Sequence, residues 1–351
     1  MTSRFPPRLV EFGLLVSLLV VLGTGVLTLF VGVPSRGWVV ALHGAAGLVL
    51  VPLLVVKLRR VLPRVRRAAA GDRPVIASVV ATGLATAAVV TGVGWVSVGS
   101  FRVGPWPGIA FHALLGVVLV PFLLVHLGRR FRLPRTTDLQ GRRTALQAGA
   151  LLAVGGLAWR VQQLLGAALD GERRFTGSRE AGTGTGNAFP VTSWVADDPT
   201  PVDARSWSLR VEGAVDRPVT VGHEALDAAD GTRATLDCTS GWYATRDWGG
   251  LRVGRVLDRA GPTASARWVT VESVTGYRVC FPIEEARRAL LATHVGGERL
   301  DHGHGAPARL VAPGRRGFQW VKWVTRIEVR ERPDYGAWVS IFTSGFTRNE
   351  G

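Results

Sequence analysis

Four long apolar segments dominate the first 130 residues, at about 9–32, 38–57, 75–98 and 107–127. Each holds about twenty residues, enough to cross the roughly 30 Å hydrocarbon layer of a bilayer as a helix. Such a segment has few alternatives, because every backbone N–H and C=O must be satisfied internally once water is gone. A fifth segment, about 145–167, is weaker, with Arg160, Gln162 and Gln163 in its second half. The expected N-terminal architecture is therefore an all-α transmembrane helical bundle. The first segment reads as a retained span rather than a cleaved secretion signal: it is long, lacks a clear cleavage site and is followed by further spans.

The rest of the chain is different. With 47% hydrophobic residues over 351 positions and a mean hydropathy of +0.22, the whole is too apolar for a soluble enzyme and too polar for a purely membrane-embedded one. A net charge of +16 suggests nucleic acid, but the positions argue against it. Fifteen of the 42 basic residues flank the apolar segments: Arg4, Arg8, Lys57, Arg59, Arg60, Arg64, Arg66, Arg67, Arg73, Arg129, Arg130, Arg132, Arg135, Arg142 and Arg143. The loops at 57–73 and 128–143 are strongly basic, whereas those at 33–37 and 99–106 carry one Arg each. Positive charge is retained on the cytoplasmic side. The N-terminus and both basic loops are thus expected inside the cell membrane, and everything after about 170 outside it. Membrane lipid is accordingly an expected partner, and nucleic acid is not.

The membrane part contains an internal repeat. Leu42-His43-Gly44-Ala45-Ala46-Gly47-Leu48-Val49-Leu50-Val51-Pro52 matches Phe111-His112-Ala113-Leu114-Leu115-Gly116-Val117-Val118-Leu119-Val120-Pro121, and Thr24-Gly25-Val26 matches Thr91-Gly92-Val93. Two helical hairpins were duplicated, so the second and fourth helices run the same way, with His43 and His112 at similar depth. Ionisable residues within a span are costly and are functional candidates by default. Imidazole is a standard axial haem ligand, and two at one depth can clamp one iron. His126 follows His112 by 14 residues, about 21 Å along a helix, a position for a second haem. The layout resembles the four-helix, two-haem cytochrome b families, which implies haem b on His43 and His112. It departs from them at Lys57, where the repeat partner of His126 is not histidine.

Residues 171–187, rich in Gly, Thr, Ser and charge, read as a linker after a 1–135 membrane domain and a 136–170 fifth segment. From 188 to 351, short runs such as Trp207-Ser208-Leu209-Arg210-Val211 and Trp268-Val269-Thr270-Val271 alternate with Gly/Pro turns, and Glu284–Leu291 suggests a short helix. This predicts a mixed α+β outer domain. Two cysteines make no disulfide framework. Cys280, in Arg278-Val279-Cys280-Phe281-Pro282-Ile283, reads as a core strand residue, with a Cys238–Cys280 disulfide as the alternative.

Cys238 ends an apolar run in Leu236-Asp237-Cys238-Thr239-Ser240-Gly241-Trp242. About 65 residues later come His304-Gly305-Ala306-Pro307-Ala308-Arg309, then Pro313, Gly317 and Lys322-Trp323. Over roughly 180–345, this order resembles the sulfite oxidase family of molybdenum enzymes. The resemblance implies a molybdopterin-binding oxidoreductase fold, with the Cys238 thiolate on molybdenum and His304, Gly305, Arg309 and Lys322 holding the anionic molybdopterin. Asn187, in Gly186-Asn187-Ala188-Phe189, would lie near the metal, and Tyr277 joins Cys238 and Asn187 as a catalytic candidate. The chemistry agrees: a sulfur-rich molybdenum centre takes a soft thiolate, and a phosphate-bearing pterin takes Arg and Lys donors.

Sulfite oxidases proper carry an Arg in the element that aligns with Gly186–Phe189, and an arginine-bearing loop where this chain has Thr239-Ser240-Gly241-Trp242-Tyr243. A doubly charged oxyanion needs such donors, so the pocket is closer to the bacterial sulfoxide-reductase-like branch. Arg246 is the residue that can restore charge for sulfite. Trp242, Tyr243 and Trp248 are candidates for lining the pocket or the core. Arg142-Arg143 before the fifth segment reads equally as a twin-arginine export signal or as topology charge. The function expected is membrane-anchored, molybdenum-dependent oxygen-atom transfer on a small substrate, with electrons exchanged through membrane haem with quinone or another carrier. The competing readings are a haem-free anchored molybdopterin domain served by soluble carriers, and a cofactor-free extracytoplasmic binding module.

Overall fold

The computed structural model describes residues 7–65, 73–97, 101–104, 106–133, 135, 142–170, 173–182, 184–193, 197, 199–226 and 229–345. Parts of both basic loops and of the linker lie outside the described residues. The chain divides into two compact units, Met1–Arg179 and Glu180–Gly351.

Among the described residues, the first unit holds five long helices: α1 (Pro7–Thr28), α2 (Trp38–Val65), α3 (Arg73–Ser97), α4 (Gly108–Arg130) and α5 (Arg142–Asp170). All five are long and apolar enough to cross a membrane, the fifth having the lowest mean hydropathy, 1.2 against 1.9–2.4 for the others. The first helix stops at Thr28, four residues short of the expected end, because Pro34 starts a 3-10 turn over Pro34–Arg36. Helix α2 in turn runs past Lys57 to Val65. Leu14, Leu18, Leu50, Leu53, Leu54, Ala81, Ala85, Leu119 and Leu123 form the shared core of α1–α4. Helix α5 lies against α2, where a Cβ on Gly155 would collide with Val49. Glycine there lets the two backbones approach, the common solution where helices meet in an apolar medium.

The second unit is a two-sheet α+β domain, the architecture expected from its strand pattern. Its elements are β1 (Ser208–Gly213), β2 (Val219–Gly222), β3 (Asp230–Asp237), β4 (Trp242–Arg252), α6 (Val253–Ala260), β5 (Trp268–Ser273), β6 (Arg278–Pro282), α7 (Ile283–Arg288), β7 (Leu290–Val295), β8 (Glu298–Arg299), β9 (Arg309–Val311), β10 (Val324–Arg330) and α8 (Ala337–Thr343). One sheet has the order β2-β1-β10-β5-β6, with β1 and β10 parallel and the remaining pairs antiparallel. In the other, β4 pairs with β3 and β7, and β7 pairs with β8 and β9. Alternation decides which side chains enter the core: Leu209, Val211, Val269, Val271 and Ile327 are fully buried. The expected helix over 284–291 is shorter. It ends at Arg288, and Leu290-Leu291 start β7 with both side chains fully buried, because a sheet position covers two adjacent leucines better than one turn of surface helix. Cys280 lies on β6, and both cysteines are free thiols.

Candidate functional site

Cys238 occupies the turn that closes the β3–β4 hairpin. Its N–H donates to the Trp242 carbonyl at 2.8 Å, and the Gly241 N–H donates to the Cys238 carbonyl at 3.1 Å. Gly241 takes φ +88°, a conformation that Gly adopts without a Cβ clash. The Ser240 N–H points at the Cys238 Sγ, 3.4 Å away. The thiol is buried, 7% exposed.

A second loop braces this turn from below. The Arg316 guanidinium donates to Asp237 Oδ1 at 2.7 Å and to the Cys238 carbonyl at 3.1 Å. The ion pair is buried on both sides, with side chains 7% and 3% exposed. The next residue, Gly317, passes so close that a Cβ would sit 3.1 Å from the Cys238 Cα. The Tyr277 hydroxyl donates to the Phe318 carbonyl at 2.7 Å, and burial raises its pKa above the ordinary phenol value. Tyr277 therefore acts on the bracing loop.

Arg309 opens β9 and is 3% exposed. One terminal nitrogen donates to the His304 carbonyl at 2.9 Å, while its Nε has no hydrogen-bond partner among the described residues. Its guanidinium lies over the rings of Trp248 and Trp320, 5.7 and 5.9 Å from their centroids. Burial lowers its pKa to about 10, with Cys238 opposing the shift. Lys322 lies in the same field: burial and Arg309 lower its pKa to about 7, against Asp197, Cys238 and Asp301. Its ammonium donates to the Gly303 carbonyl at 2.6 Å and to Ser193 Oγ at 3.0 Å. Gly305, at φ +110°, leaves room for this side chain, since a Cβ there would meet the Lys322 Cβ at 3.0 Å. Cys238, Arg309 and Lys322 thus share one electrostatic environment.

His304 and Asn187 are turned toward each other's loop instead. The His304 ring, 2% exposed, lies 2.7 Å through Nδ1 from Asp301 Oδ1 and 3.0 Å through Nε2 from the Phe189 carbonyl. Both neighbours accept, so a neutral ring satisfies one at a time. Burial pushes its pKa below the ordinary histidine value, while Asp301 and Phe189 pull it up. The Asn187 side-chain amide donates to the Arg299 carbonyl at 2.8 Å, and its Oδ1 accepts the Asp301 N–H at 3.1 Å. Both residues fix the segment that carries Gly305.

Trp248 and Arg246 are core residues on β4. The Arg246 guanidinium is buried over the Phe189 ring at 5.5 Å and donates to the Thr245 and Ala188 carbonyls. Trp242, by contrast, keeps an exposed bond from Nε1 to Thr192 Oγ1 at 3.2 Å. Sequence reasoning missed Asp237, Arg316, Asp301 and Asp197. Asp197 is 8% exposed, and burial raises its pKa. The signal available for Asp237 was a carboxylate closing an apolar strand; Arg316 carried none beyond its charge.

In the helical unit, the His43 and His112 ring centroids lie 6.0 Å apart with planes at 90°. Each Nδ1 approaches a carbonyl one helix back: His43 meets Val21 O at 3.0 Å, and His112 meets Ala88 O at 2.8 Å. A carbonyl only accepts, so Nδ1 carries the proton and Nε2 the lone pair. Gly25 and Gly92 face these rings, where a Cβ would come 3.4 and 3.0 Å from Cε1. His126 is elsewhere, with Nδ1 2.8 Å from Ser78 Oγ.

Residues 197–338 match the family described as oxidoreductase molybdopterin binding domain. The chain is 30% identical over 156 residues to the uncharacterized oxidoreductase YuiH of Bacillus subtilis, covering 43% of this chain and 78% of that protein. The chain belongs to the molybdopterin-binding oxidoreductase family. It is also 30% identical over 165 residues to the catalytic subunit MsrP of protein-methionine-sulfoxide reductase from Xanthomonas campestris pv. campestris, covering 41% of this chain and 51% of that one. Similarity to the NADPH nitrate reductase of Neurospora crassa is 26% over 199 residues, covering 44% of this chain and 20% of that one. The chain thus spans about half the length of the sulfoxide reductase subunit, and the molybdopterin-family match lies wholly within the second unit.

Proposed function

We propose that this protein is a membrane-anchored, molybdenum-dependent reductase of small sulfoxides, supplied with electrons through a haem held by its helices. The observation that carries the first half is the Arg309–Lys322 pair beside Cys238. A buried guanidinium with an unpartnered Nε and a half-buried ammonium, both with lowered pKa values, are stabilised by an anionic group. A phosphate-bearing pterin supplies that charge, and the buried thiol supplies a soft ligand for its metal. The residues present therefore fit molybdopterin.

When bound, the molybdenum cofactor would supply two-electron oxygen-atom transfer. The chain's own residues do the rest. Cys238 is the protein ligand, held by its turn and by the Arg316–Asp237 pair beneath it. Arg309 and Lys322 bind the anion. His304 acts through its backbone, presenting its carbonyl to Arg309, while Asn187 and Asp301 orient it. Tyr277 positions the loop on which Cys238 rests. Reduction of a sulfoxide consumes two electrons and two protons and yields a sulfide and water. A sulfoxide has no net charge, and the one arginine considered for a sulfite dianion, Arg246, is buried with both terminal nitrogens donating to backbone carbonyls. That favours the neutral substrate, as does the similarity to a sulfoxide reductase subunit.

For the helices, two imidazoles on one metal at about 2.0 Å per bond put their ring centres roughly 6 Å apart, close to the separation of His43 and His112. Nδ1–H donated to a carbonyl is also how a metal-bound imidazole is usually oriented. These features support a bis-histidine haem b, with a quinone or another carrier as the electron source and the second unit outside the cell membrane.

The test is metal and haem analysis of the purified full chain, followed by sulfoxide reduction with an artificial donor. About one molybdenum per chain is expected. Cys238→Ser should remove activity while leaving the melting temperature of the second unit nearly unchanged, and an active Cys238→Ser protein would refute the assignment.

A further inference from the structure

Helix α8 of the second unit carries its apolar side outward. A surface helix ordinarily buries its large apolar residues and shows its polar face to water. Here the buried side is made of small residues: Ala337, Ser340 and Ser344, which follows the helix, are 7%, 0% and 1% exposed. The large side chains are the exposed ones, with Trp338 at 52%, Val339 at 57% and Phe342 at 69%. Phe342 follows Trp338 by four positions and Val339 by three, so the three share one side of the helix. Tyr335, in the turn that leads into it, is 80% exposed.

The fold enforces this orientation. Ser340 Oγ accepts the Arg278 N–H at 3.1 Å and lies 3.1 Å from the Arg278 carbonyl. Before the helix, Asp334 pairs with Arg278 at 2.8 Å; after it, the Gly345 N–H donates to the Thr275 carbonyl at 3.1 Å. Turning the aromatic side inward would break these bonds and leave backbone groups of β6 without partners, which is costly. An apolar patch held outward in this way marks an interaction surface.

We infer that this face of α8 docks on a lipid surface, that of the membrane spanned by the helical unit. The inference rests on the membrane reading of the five helices and goes beyond the redox reading of the Cys238 site. The residue types fit: Trp and Tyr rings settle at the headgroup level, and Phe and aliphatic side chains reach the acyl boundary. Size argues against a second copy or another protein. A stable interface takes about 800 Å² and roughly 20–30 residues from each partner, and four side chains fall far short. A lipid surface sets no such minimum for a tethered domain. Free in solution, so small an insertion would bind only marginally. Residues 171–187 connect the second unit to α5, so a bilayer crossed by α5 stays within reach at high effective concentration. The rim carries both signs, since Glu331 and Arg332 are both exposed. Apolar insertion rather than charge attraction therefore carries the contact, and docking fixes which side of the second unit faces the bilayer.

The test uses the full-length protein in phosphatidylcholine vesicles, with the photo-crosslinker p-benzoylphenylalanine replacing Trp338 or Phe342. Asp258 on α6, whose side chain is 64% exposed, is the control position. After irradiation, mass spectrometry identifies what each position has captured. Lipid adducts are expected at 338 and 342, with yields roughly fivefold or more above those at 258. Phe342→Glu and Val339→Glu should each lower the adduct at 338 by a similar factor and leave the melting temperature of the second unit unchanged, because a carboxylate opposes insertion into the acyl boundary. Crosslinks between two chains, crosslinks into the chain's own helices, or no adduct at 338 and 342 would each overturn the inference. Carbonate extraction checks the membrane reading separately. If the wild type is released from the vesicles, that reading fails. Adducts formed when the protein is then mixed with vesicles would still uphold α8 as a lipid-docking face, and their absence would refute it.

Discussion

His43 and His112 face each other across the helical bundle at 6.0 Å between ring centres, each donating Nδ1–H to a carbonyl of the preceding helix. Their equivalence follows from the duplicated hairpin. The glycine of each Thr-Gly-Val copy is what lets the ring sit against the neighbouring backbone.

That contact gives the first prediction. A dithionite-reduced spectrum of the wild type should show a haem b band, and His43→Ala and His112→Ala should each remove it. Gly92→Ala should weaken it, because the new Cβ would lie 3.0 Å from the His112 ring; Gly25→Ala, at 3.4 Å from His43, should be tolerated. Loss of the band in Gly25→Ala alone would contradict this order.

The buried Arg316–Asp237 pair gives the second. Removing one partner leaves the other charged and buried, a change that costs roughly 3–5 kcal/mol. Arg316→Met and Asp237→Leu should each lower the denaturation midpoint strongly, and the double variant should cost less than their sum. The Cys238 turn should also loosen, read as faster alkylation of the thiol in the cofactor-free protein. Strictly additive losses would show that the two side chains do not act as a pair.

The third concerns acid stability. Asp334 lies 2.8 Å from Arg278 and accepts the Gly336 N–H at 2.9 Å, tying α8 to β6. Burial works against its charge, but Arg278 and Gly336 outweigh this and hold its pKa below 3.8. The folded value is depressed, so the stabilisation is complete above pH 3.8, falls as pH drops toward the folded pKa, and is absent below it. Asp334→Asn should cost about 1 kcal/mol at neutral pH and flatten this part of the stability profile, measured by denaturant titration between pH 3 and 7.

The fourth concerns topology. Alkaline phosphatase fused at the C-terminus should be active, and a fluorescent reporter that matures only in the cytoplasm should be dark there. The reverse pattern would invert the orientation and place the His43–His112 level at the cytoplasmic face.

The sequence alone determined that long apolar helices precede a strand-rich part in this chain. Runs of twenty apolar residues have one low-energy backbone, so all five helices were legible, with their ends set by Pro34 and the charged flanks. The repeat made the level of His43 and His112 readable, since copied helices keep copied depths. In the second unit, Cys238, Arg309 and Lys322 stood out as candidates because their residue types carry the chemistry. Tertiary structure alone decided what supports them. Arg316 reaches Asp237 across 79 positions, Tyr277 reaches Phe318 across 41, and Asn187 reaches Asp301 across 114. No local pattern encodes such pairings; they form when two sheets close and each buried polar group must find a partner. The same closure set the His304 ring between Asp301 and the Phe189 carbonyl. Packing in the helical unit likewise drew Glu11 onto Lys57, giving the lysine unmatched in the repeat an ion-pair partner.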